Sequence, residues 1–306
     1  MALYIGIDVG GTAIKGAVID DGGKLYGEDS IQTVCGRGIV DCIATLCNRL
    51  LKVCKDEVTG IGIGCAGVID SAGGRVILAR NLSLENFPLV ELLREKIDLP
   101  VKITNDANAA ALGEARFGAG KEYKNSILVT LGTGVGGGIV IDGKLFEGNR
   151  SAGAEIGHMV IEKGGELCSC GRRGCFEAYS SATALKRQTK HAMEEDAGSA
   201  MWRTCTSDTV TGKTAFEHME SDRSAREVVD KYIEYLACGL TNLTNIFRPE
   251  VIMLGGGVSK EGVRLTAPLQ EIVDRETFAS DYAPVKVTVA TLGSKAGVYG
   301  GAALFL

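Results

Sequence analysis

No segment restricts this chain more than residues 155–177, where His158, Cys168, Cys170 and Cys175 fall within eighteen residues. Neutral imidazole and thiolate are the ligands Zn²⁺ prefers, and four of them fill a tetrahedral shell with no position left for water. A closed shell of this kind folds a loop rather than performing chemistry. Gly164, Gly165, Gly171 and Gly174 share the stretch, as expected where tight turns need residues that tolerate positive φ. Three buried cysteines beside an unrelated histidine are the bland alternative, and the ligand-type spacing favours the metal. Glu155 and Glu177 bracket the loop, so the metal would hold two carboxylates in place.

With 306 residues the chain has room for two domains of about 150 residues. Its net charge of −5 comes without any run of Lys or Arg, so nothing favours nucleic acid or an anionic membrane as a partner. The longest apolar stretch, near residues 127–141, is crowded with glycine and does not read as a membrane span. A strand-like opening, without a basic leader or apolar h-region, gives the expectation of no export signal. The cysteines outside the metal stretch, among them Cys42, Cys47 and Cys54 in one helix-like segment, read as reduced thiols. A soluble, cytoplasmic protein is the expectation.

Two β-rich runs, 3–9 and 13–20, joined by Gly10-Gly11, predict a hairpin. A strand at 24–33, a helix from Gly38 to Cys54, a strand at 58–65, a helix at 89–96, a strand at 101–104 and a helix at 107–116 follow. From residue 126 the theme repeats, with strands at 126–131 and 138–141 joined by Gly132-Thr-Gly-Val-Gly-Gly. Residues 180–235 read as polar helix with His191 and His218 solvated, and 236–247 as a further helix. A strand at 251–254, a third glycine turn at 255–259, a strand at 285–290 and a small-residue helix at 296–306 complete the chain. Two hairpin starts predict two related α/β lobes, 1–118 and 119–290, with the junction near residues 118–120.

Gly62/Gly64/Gly67 and Gly132/Gly134/Gly137 match G-x-G-x-x-G, but both run on into strand or turn residues. A dinucleotide fingerprint needs a helix there to hold the pyrophosphate, so a dehydrogenase is excluded. Gly212-Lys213-Thr214 imitates the end of a phosphate loop, yet the first glycine of that motif is Ser207 here, and no strand precedes it. What survives is Asp8-Val-Gly-Gly-Thr12 with Lys15, and Leu131-Gly-Thr-Gly134, each a glycine turn between strands. Glycine lets backbone N–H groups approach phosphate oxygens, threonine adds a hydroxyl donor, and Asp8 could hold Mg²⁺ at a strand end. One such turn is as well explained by a plain hairpin. Two of them, one per lobe, point to a nucleotide clamp.

These segments occur in order with Asn105-Asp106-Ala-Asn108, Glu155-x-Gly-His158, Cys168-x-Cys-Gly-x-x-Gly-Cys175 with Glu177, and Leu254-Gly-Gly-Gly-Val258. Together they resemble the ROK family (repressors, open reading frames, sugar kinases) over nearly the whole chain, in its glucokinase-like sugar-kinase branch. The resemblance implies a two-lobed actin-like ATPase (ribonuclease-H-like) α/β fold, with a zinc-stabilised loop in the second lobe and residues 291–306 returning to the first. It also implies a homodimer, the assembly family members often adopt.

The implied reaction is ATP-dependent phosphoryl transfer to a sugar hydroxyl, with glucose and its 6-hydroxyl as the default, and with ATP, Mg²⁺ and structural Zn²⁺ as cofactors. Phosphoryl transfer needs positioning, charge neutralisation and an acceptor for the hydroxyl proton. Asp106 opens a helix whose dipole favours its ionised form, although an N-cap role for it, with Asn105 and Thr104 as rivals, is equally open from sequence. The resemblance assigns Asp106 as general base. It assigns Gly67, Asn81, Asn105, Glu155, His158 and Glu177 to the sugar, and Asp8 to magnesium. It assigns Gly10, Gly11, Thr12, Lys15, Gly132, Thr133, Gly134, Gly136, Gly137, Gly138, Gly255, Gly256 and Gly257 to ATP. His158 could ligate zinc through one ring nitrogen and face the sugar with the other.

Ala66 stands where the family usually has proline, and Leu82 where a tryptophan is common; both segments border the sugar pocket that the resemblance implies. N-acetylmannosamine, N-acetylglucosamine, allose and fructose therefore stay open beside glucose. A sugar-responsive repressor would need a DNA-binding helix-turn-helix before the first lobe, and only seven residues precede Asp8. A sugar-binding sensor without catalysis is the reading from another class, and retention of Asp8, Lys15, Asp106 and both turns argues against it.

Overall fold

The computed structural model describes residues 2–53 and 57–306; Cys54 lies outside the described residues. Alternating apolar residues build the opening hairpin, β1 (Leu3–Val9) and β2 (Ala13–Asp20), which pair antiparallel, with β3 (Leu25–Gln32) beyond them. Helix α1 (Gly38–Val53) buries Ile39, Ile43, Leu46 and Leu50 against one face of this hairpin. That stripe at three- and four-residue spacing is what made the helix legible. The chain then returns as β4 (Val58–Cys65), parallel to β1.

A small antiparallel sheet follows, β5 (Val68–Asp70), β6 (Arg75–Ala79) and β7 (Leu84–Phe87), which the sequence did not announce. Its strands are too short to display a period of two. Helix α2 (Leu89–Arg94), β8 (Val101–Asn105) and α3 (Asp106–Phe117) come next. The first large sheet has the order β3-β2-β1-β4-β8, with β1, β4 and β8 parallel.

The second large sheet repeats that pattern. Strands β9 (Ser126–Leu131), β10 (Val135–Ile141) and β11 (Lys144–Phe146) open it, and its order is β11-β10-β9-β12-β13. Strand β10 starts at Val135 rather than at residue 138, so only residues 132–134 form the turn, and Gly136, Gly137 and Gly138 lie inside a strand. Gly138 is explained by packing: a Cβ there would lie 2.5 Å from the Ala111 methyl on α3.

The polar region 180–235 is helical in part: α4 (Glu177–Ser180), α5 (Ala182–Glu195), α6 (Thr214–His218) and α7 (Arg223–Phe247), the last taking in the separately expected helix at 236–247, while residues 196–213 lie outside these helices. His191 is exposed as expected, but His218 is half-buried, with its Nε2 2.8 Å from Thr204 Oγ1. Strand β12 (Val251–Gly256) runs two residues past its expected end, and α8 (Val263–Glu276), with Pro268 inside it, was not anticipated. Strand β13 (Lys286–Val289), parallel to β12, and α9 (Ala296–Ala303) close the chain.

By contacts, residues 1–128, 138–154 and 291–306 form one compact unit, and residues 129–137 and 155–290 form the other. The division therefore runs through β9 and β10 instead of at a single junction near residues 118–120. The start of β9 and the end of β10 belong with the first unit, where Gly138 packs on Ala111 of α3.

In the first unit, α9 lies on the face of the sheet opposite α1, with Val298 and Ala302 packed on Tyr4, Ala17 and Ile19, and with backbone meeting backbone at glycines. A Cβ on Gly62 would sit 1.8 Å from the Gly301 carbonyl oxygen, and one on Gly300 1.6 Å from the Ala109 oxygen of α3. The fully buried Glu114 of α3 fastens the entry to α9: Oε1 accepts from Leu292 N–H at 2.7 Å, and Oε2 from Ala119 N–H at 2.9 Å and Thr291 N–H at 3.1 Å. Glu114→Ala would leave those three amides without partners and a cavity beside them. It is expected to cost about 2–4 kcal/mol, read from urea unfolding curves.

Candidate functional site

In the first unit the candidate residues gather where three parallel strands end. The register aligns Val9 of β1 with Cys65 of β4, and Cys65 with Asn105 of β8. Carboxyl ends of parallel strands are where α/β sheets bind ligands, since helix N-termini and loops meet there. Asp8 stands opposite Lys15 across the hairpin. Both point to the side covered by α9, and a Cβ on Gly297 would lie 2.9 Å from the Asp8 carboxyl carbon. Lys15 is exposed and also borders a cavity of ≈430 Å³ with Ser294, Lys295 and Tyr299.

Asn105 settles the capping question left open by the sequence. Its Oδ1 accepts from the N–H groups of Ala107 at 2.8 Å and Asn108 at 3.2 Å, so Asn105 is the N-cap of α3. Asp106 is thereby the first helical residue, half-buried, with its carboxylate not needed as a cap. Asn105 Nδ2 donates to the Gly67 carbonyl at 2.9 Å, which leaves the amide one hydrogen to offer a ligand. Gly67 has a φ of 119°, and a Cβ there would meet the Leu78 oxygen at 2.4 Å. Asn81 is exposed in a single helical turn, and its Cβ lies 3.7 Å from where a Gly11 side chain would begin. Gly11 and Thr12 form the exposed tip of the first turn, braced by Thr33, which donates to the Gly10 carbonyl through Oγ1 at 2.7 Å. Leu82, the departure noted above, is fully buried.

Burial raises the Asp8 carboxyl above its ordinary value, and the Asp106 charge raises it further; Lys15 acts the other way. The same two carboxylates, after burial, push the Cys65 thiol up to about 12. Asp8, Cys65 and Asp106 thus share one electrostatic neighbourhood. Two carboxylates in it, opposed by the one lysine, suit a divalent cation.

The second unit holds the cysteine-rich stretch and two glycine turns. The ligand atoms of His158, Cys168, Cys170 and Cys175 all lie within 4.8 Å of one another. Cys170 Sγ and Cys175 Sγ are 3.7 Å apart, and Cys168 Sγ is 3.7 Å from His158 Nδ1. Zn–S bonds of about 2.3 Å at tetrahedral angles place sulfurs about 3.8 Å apart, so the donor set fits zinc. Nδ1 is the ring nitrogen turned to this cluster, which leaves Nε2 free for another partner. Glycines shape the knuckle: Gly171 at φ 88° closes the turn with its N–H on the Cys168 carbonyl, and Gly174 has φ 83°.

Glu155 and Glu177 prove unlike each other. Glu155 is exposed. Glu177 is half-buried and held at both oxygens, with Oε1 accepting from Ser169 Oγ at 2.8 Å and Oε2 from Val135 N–H at 3.1 Å. The second glycine turn is tied back by the segment after Glu177, since the Gly132 carbonyl accepts from Ala182 N–H at 2.8 Å and the Thr133 carbonyl from Thr183 Oγ1 at 2.7 Å. The third turn stands beside it. Gly255 ends buried in β12, Gly257 is open, and Gly256 at φ 87° would press a Cβ within 2.4 Å of the Leu131 oxygen. Ser169, Thr183 and Gly157 are contacts that sequence reading missed. Gly157 alone carried a signal, as the fixed glycine of Glu155-x-Gly-His158.

A family model described as "ROK family" matches residues 4–306. A glucokinase of Halalkalibacterium halodurans is 39% identical across 97% of this chain and 93% of its own. A ROK family glucokinase from Streptomyces griseus, solved in complex with glucose and AMPPNP, superposes with a TM-score of 0.80 at 35% identity, covering 99% of both chains. A xylose repressor of Caldicellulosiruptor bescii is 32% identical over 99% of this chain, which spans 77% of that protein.

Because the native protein holds the Asp8 proton more tightly than the unfolded chain does, stability falls as pH rises from the ordinary carboxylate range through the raised native value. In magnesium-free buffer at neutral pH, Asp8→Asn is therefore expected to melt above the wild type. The gap should close only as pH falls below about 3, under the ordinary carboxylate value, where Asp8 is protonated in both states; thermal melts across that range check it.

Proposed function

The chain belongs to the ROK family, and from that membership we propose that it works as an ATP-dependent glucokinase, moving the γ-phosphoryl group of ATP to the 6-hydroxyl of glucose. The observation that carries the reading is the meeting of Asp8, Asn105 and Asp106 at one sheet edge, with Asn105 as the cap and Asp106 left uncommitted. Asp106 accepts the proton of the attacking hydroxyl, and the amino end of α3 stabilises its ionised form. The proposal gives sugar hydrogen bonds to Asn105, Gly67, Asn81, Glu155, His158 and Glu177. It gives ATP phosphate to Gly10, Gly11, Thr12 and Lys15, and phosphate and adenosine to residues 132–134 and 255–257. Residues 136–138 serve this role only by shaping β10.

Asp8 is the magnesium ligand of the proposal, and the cation, when bound, neutralises charge on the transferring phosphate. Zinc, when bound by His158, Cys168, Cys170 and Cys175, fixes the loop that carries the sugar-binding carboxylates. Cytoplasmic placement is supported by nine described cysteines that form no disulfide, and no helix among the described residues is long and apolar enough to cross a membrane. The net charge of −5 supports small molecules rather than nucleic acid as partners. The exposed Ile246, Phe278 and Tyr282 supply apolar surface for the homodimer that the resemblance implies.

Asp106→Asn is expected to lower ADP release with glucose about 10²–10⁴-fold while the melting curve stays close to that of wild type. Wild-type protein that turns over none of glucose, fructose, allose or the N-acetylhexosamines, yet is protected by one of them against thermal unfolding, would replace the kinase with a sugar sensor. Purified protein is expected to carry about one zinc per chain by atomic absorption, and Cys175→Ala none.

A further inference from the structure

The second glycine turn carries little that would hold it in shape. Between Leu131 and Val135 its only side chain is the exposed Thr133, and its one internal hydrogen bond runs from Gly132 N–H to the Gly134 carbonyl at 3.0 Å. Yet every flank of the turn is gripped from outside. Glu177 Oε2 accepts the Val135 N–H at 3.1 Å, and Gly134 leaves room for that carboxylate, since a Cβ there would fall 2.2 Å from the same oxygen. Gly157, between Glu155 and His158, packs so tightly that a Cβ would lie 2.0 Å from the Val135 carbonyl oxygen. Thr183 Oγ1 holds the Thr133 carbonyl at 2.7 Å, and Ala182 N–H holds that of Gly132 at 2.8 Å. The Gly132 and Thr133 carbonyls are held by the segment after Glu177, and the Gly132 and Val135 N–H groups are also taken, so the N–H groups of Thr133 and Gly134 are the ones left for phosphate.

We infer that the metal-binding stretch positions the nucleotide phosphates as well as the sugar, acting on the second glycine turn through a strut that runs from Ser169 through Glu177 to Val135, with Thr183 as a second brace. Ser169 lies between Cys168 and Cys170, and its Oγ donates to Glu177 Oε1 at 2.8 Å, so displacement of the cysteines reaches Val135 through one side chain. Ser169 and Thr183 are positioning residues: neither touches substrate, and both order beforehand a turn that would otherwise lose backbone entropy on gripping phosphate. The second glycine of Gly132-Thr-Gly134 is there to admit Glu177 rather than phosphate. Gly132, with no atom nearer than 4.0 Å to a built Cβ, has no such steric demand. The inference rests on the kinase reading, which supplies the nucleotide.

The test is binding of Mg²⁺–AMPPNP by calorimetry to zinc-replete wild type, Thr183→Ala, Thr183→Ser and Ser169→Ala, beside KM values for ATP and glucose. Thr183→Ala and Ser169→Ala are expected to weaken AMPPNP about 3–10-fold each, the worth of one hydrogen bond. Thr183→Ser should bind as wild type, and glucose KM in Thr183→Ala should move less than about two-fold. Unchanged AMPPNP affinity in both alanine variants overturns the strut and leaves the kinase standing. A parallel rise of both KM values in Thr183→Ala marks general loosening and overturns it too. Wild type that does not bind AMPPNP overturns the strut and the kinase reading together.

Discussion

Everything in the first unit depends on backbone meeting backbone. Helix α9 can lie on β1 and β4, and against α3, only because Gly62, Gly300 and Gly301 leave no side chain in the way. That approach sets the end of β1, where Asp8 rests on Gly297, and the start of α3, where Asp106 emerges. A methyl group on Gly62 or Gly300 would have to displace a carbonyl oxygen by more than an ångström, and packed interiors transmit such shifts rather than absorb them. The high glycine content is thus a geometric requirement of the site and not a sign of a loose chain.

The consequence is a carboxylate held at a cost. Asp8 is buried, has Asp106 for a neighbour, and receives only partial relief from Lys15. A surface aspartate would be easier to keep ionised but would leave the position of a bound cation undefined. Placing it at a strand end fixes its direction, and the large apolar core between the sheet and α1 supplies the stability that tolerates it. Asp106 meets the opposite condition. It stays half-exposed at the start of a helix whose capping is done by Asn105, so its carboxylate is not tied up as a cap. The neighbouring residues divide labour: one holds the helix and leaves the other uncommitted.

Much of this was legible in the sequence where a pattern is repeated or chemically narrow. The hairpin of β1 and β2, the stripe of α1 and the four metal-type ligands each leave a signature that local chemistry alone can read. The strand order, repeated from the first sheet to the second, was visible only as two glycine hairpins. What escaped detection has a common cause. Strands β5, β6 and β7 are too short for periodicity, and α8 carries a proline that suppresses its helical signal. The cap of α3 could not be chosen among Thr104, Asn105 and Asp106, because all three residue types cap well and only the hydrogen bonds distinguish them. Gly134 reads as a turn glycine and Gly157 as part of a motif, whereas their reasons lie in Glu177 and Val135, distant in sequence.

The same comparison explains why a metal belongs in the second unit. The stretch from Glu155 to Glu177 is anchored near its ends by the buried Ile156 and Phe176, whereas Ser169 and Cys170 are exposed, so burial alone does not fix the part that carries them. Glu177 nonetheless needs a fixed position, because it accepts from both Ser169 and Val135 and a small rotation would break one bond to keep the other. Four ligands on one cation would restrain a short polar loop as a core restrains a long one, and would do so at the point from which the carboxylate is held. A disulfide could link only two of the cysteines, whereas the tetrahedral shell also orients His158, leaving its second nitrogen to face outward. The first unit therefore orders its acidic residues by glycine packing, and the second orders its own by coordination.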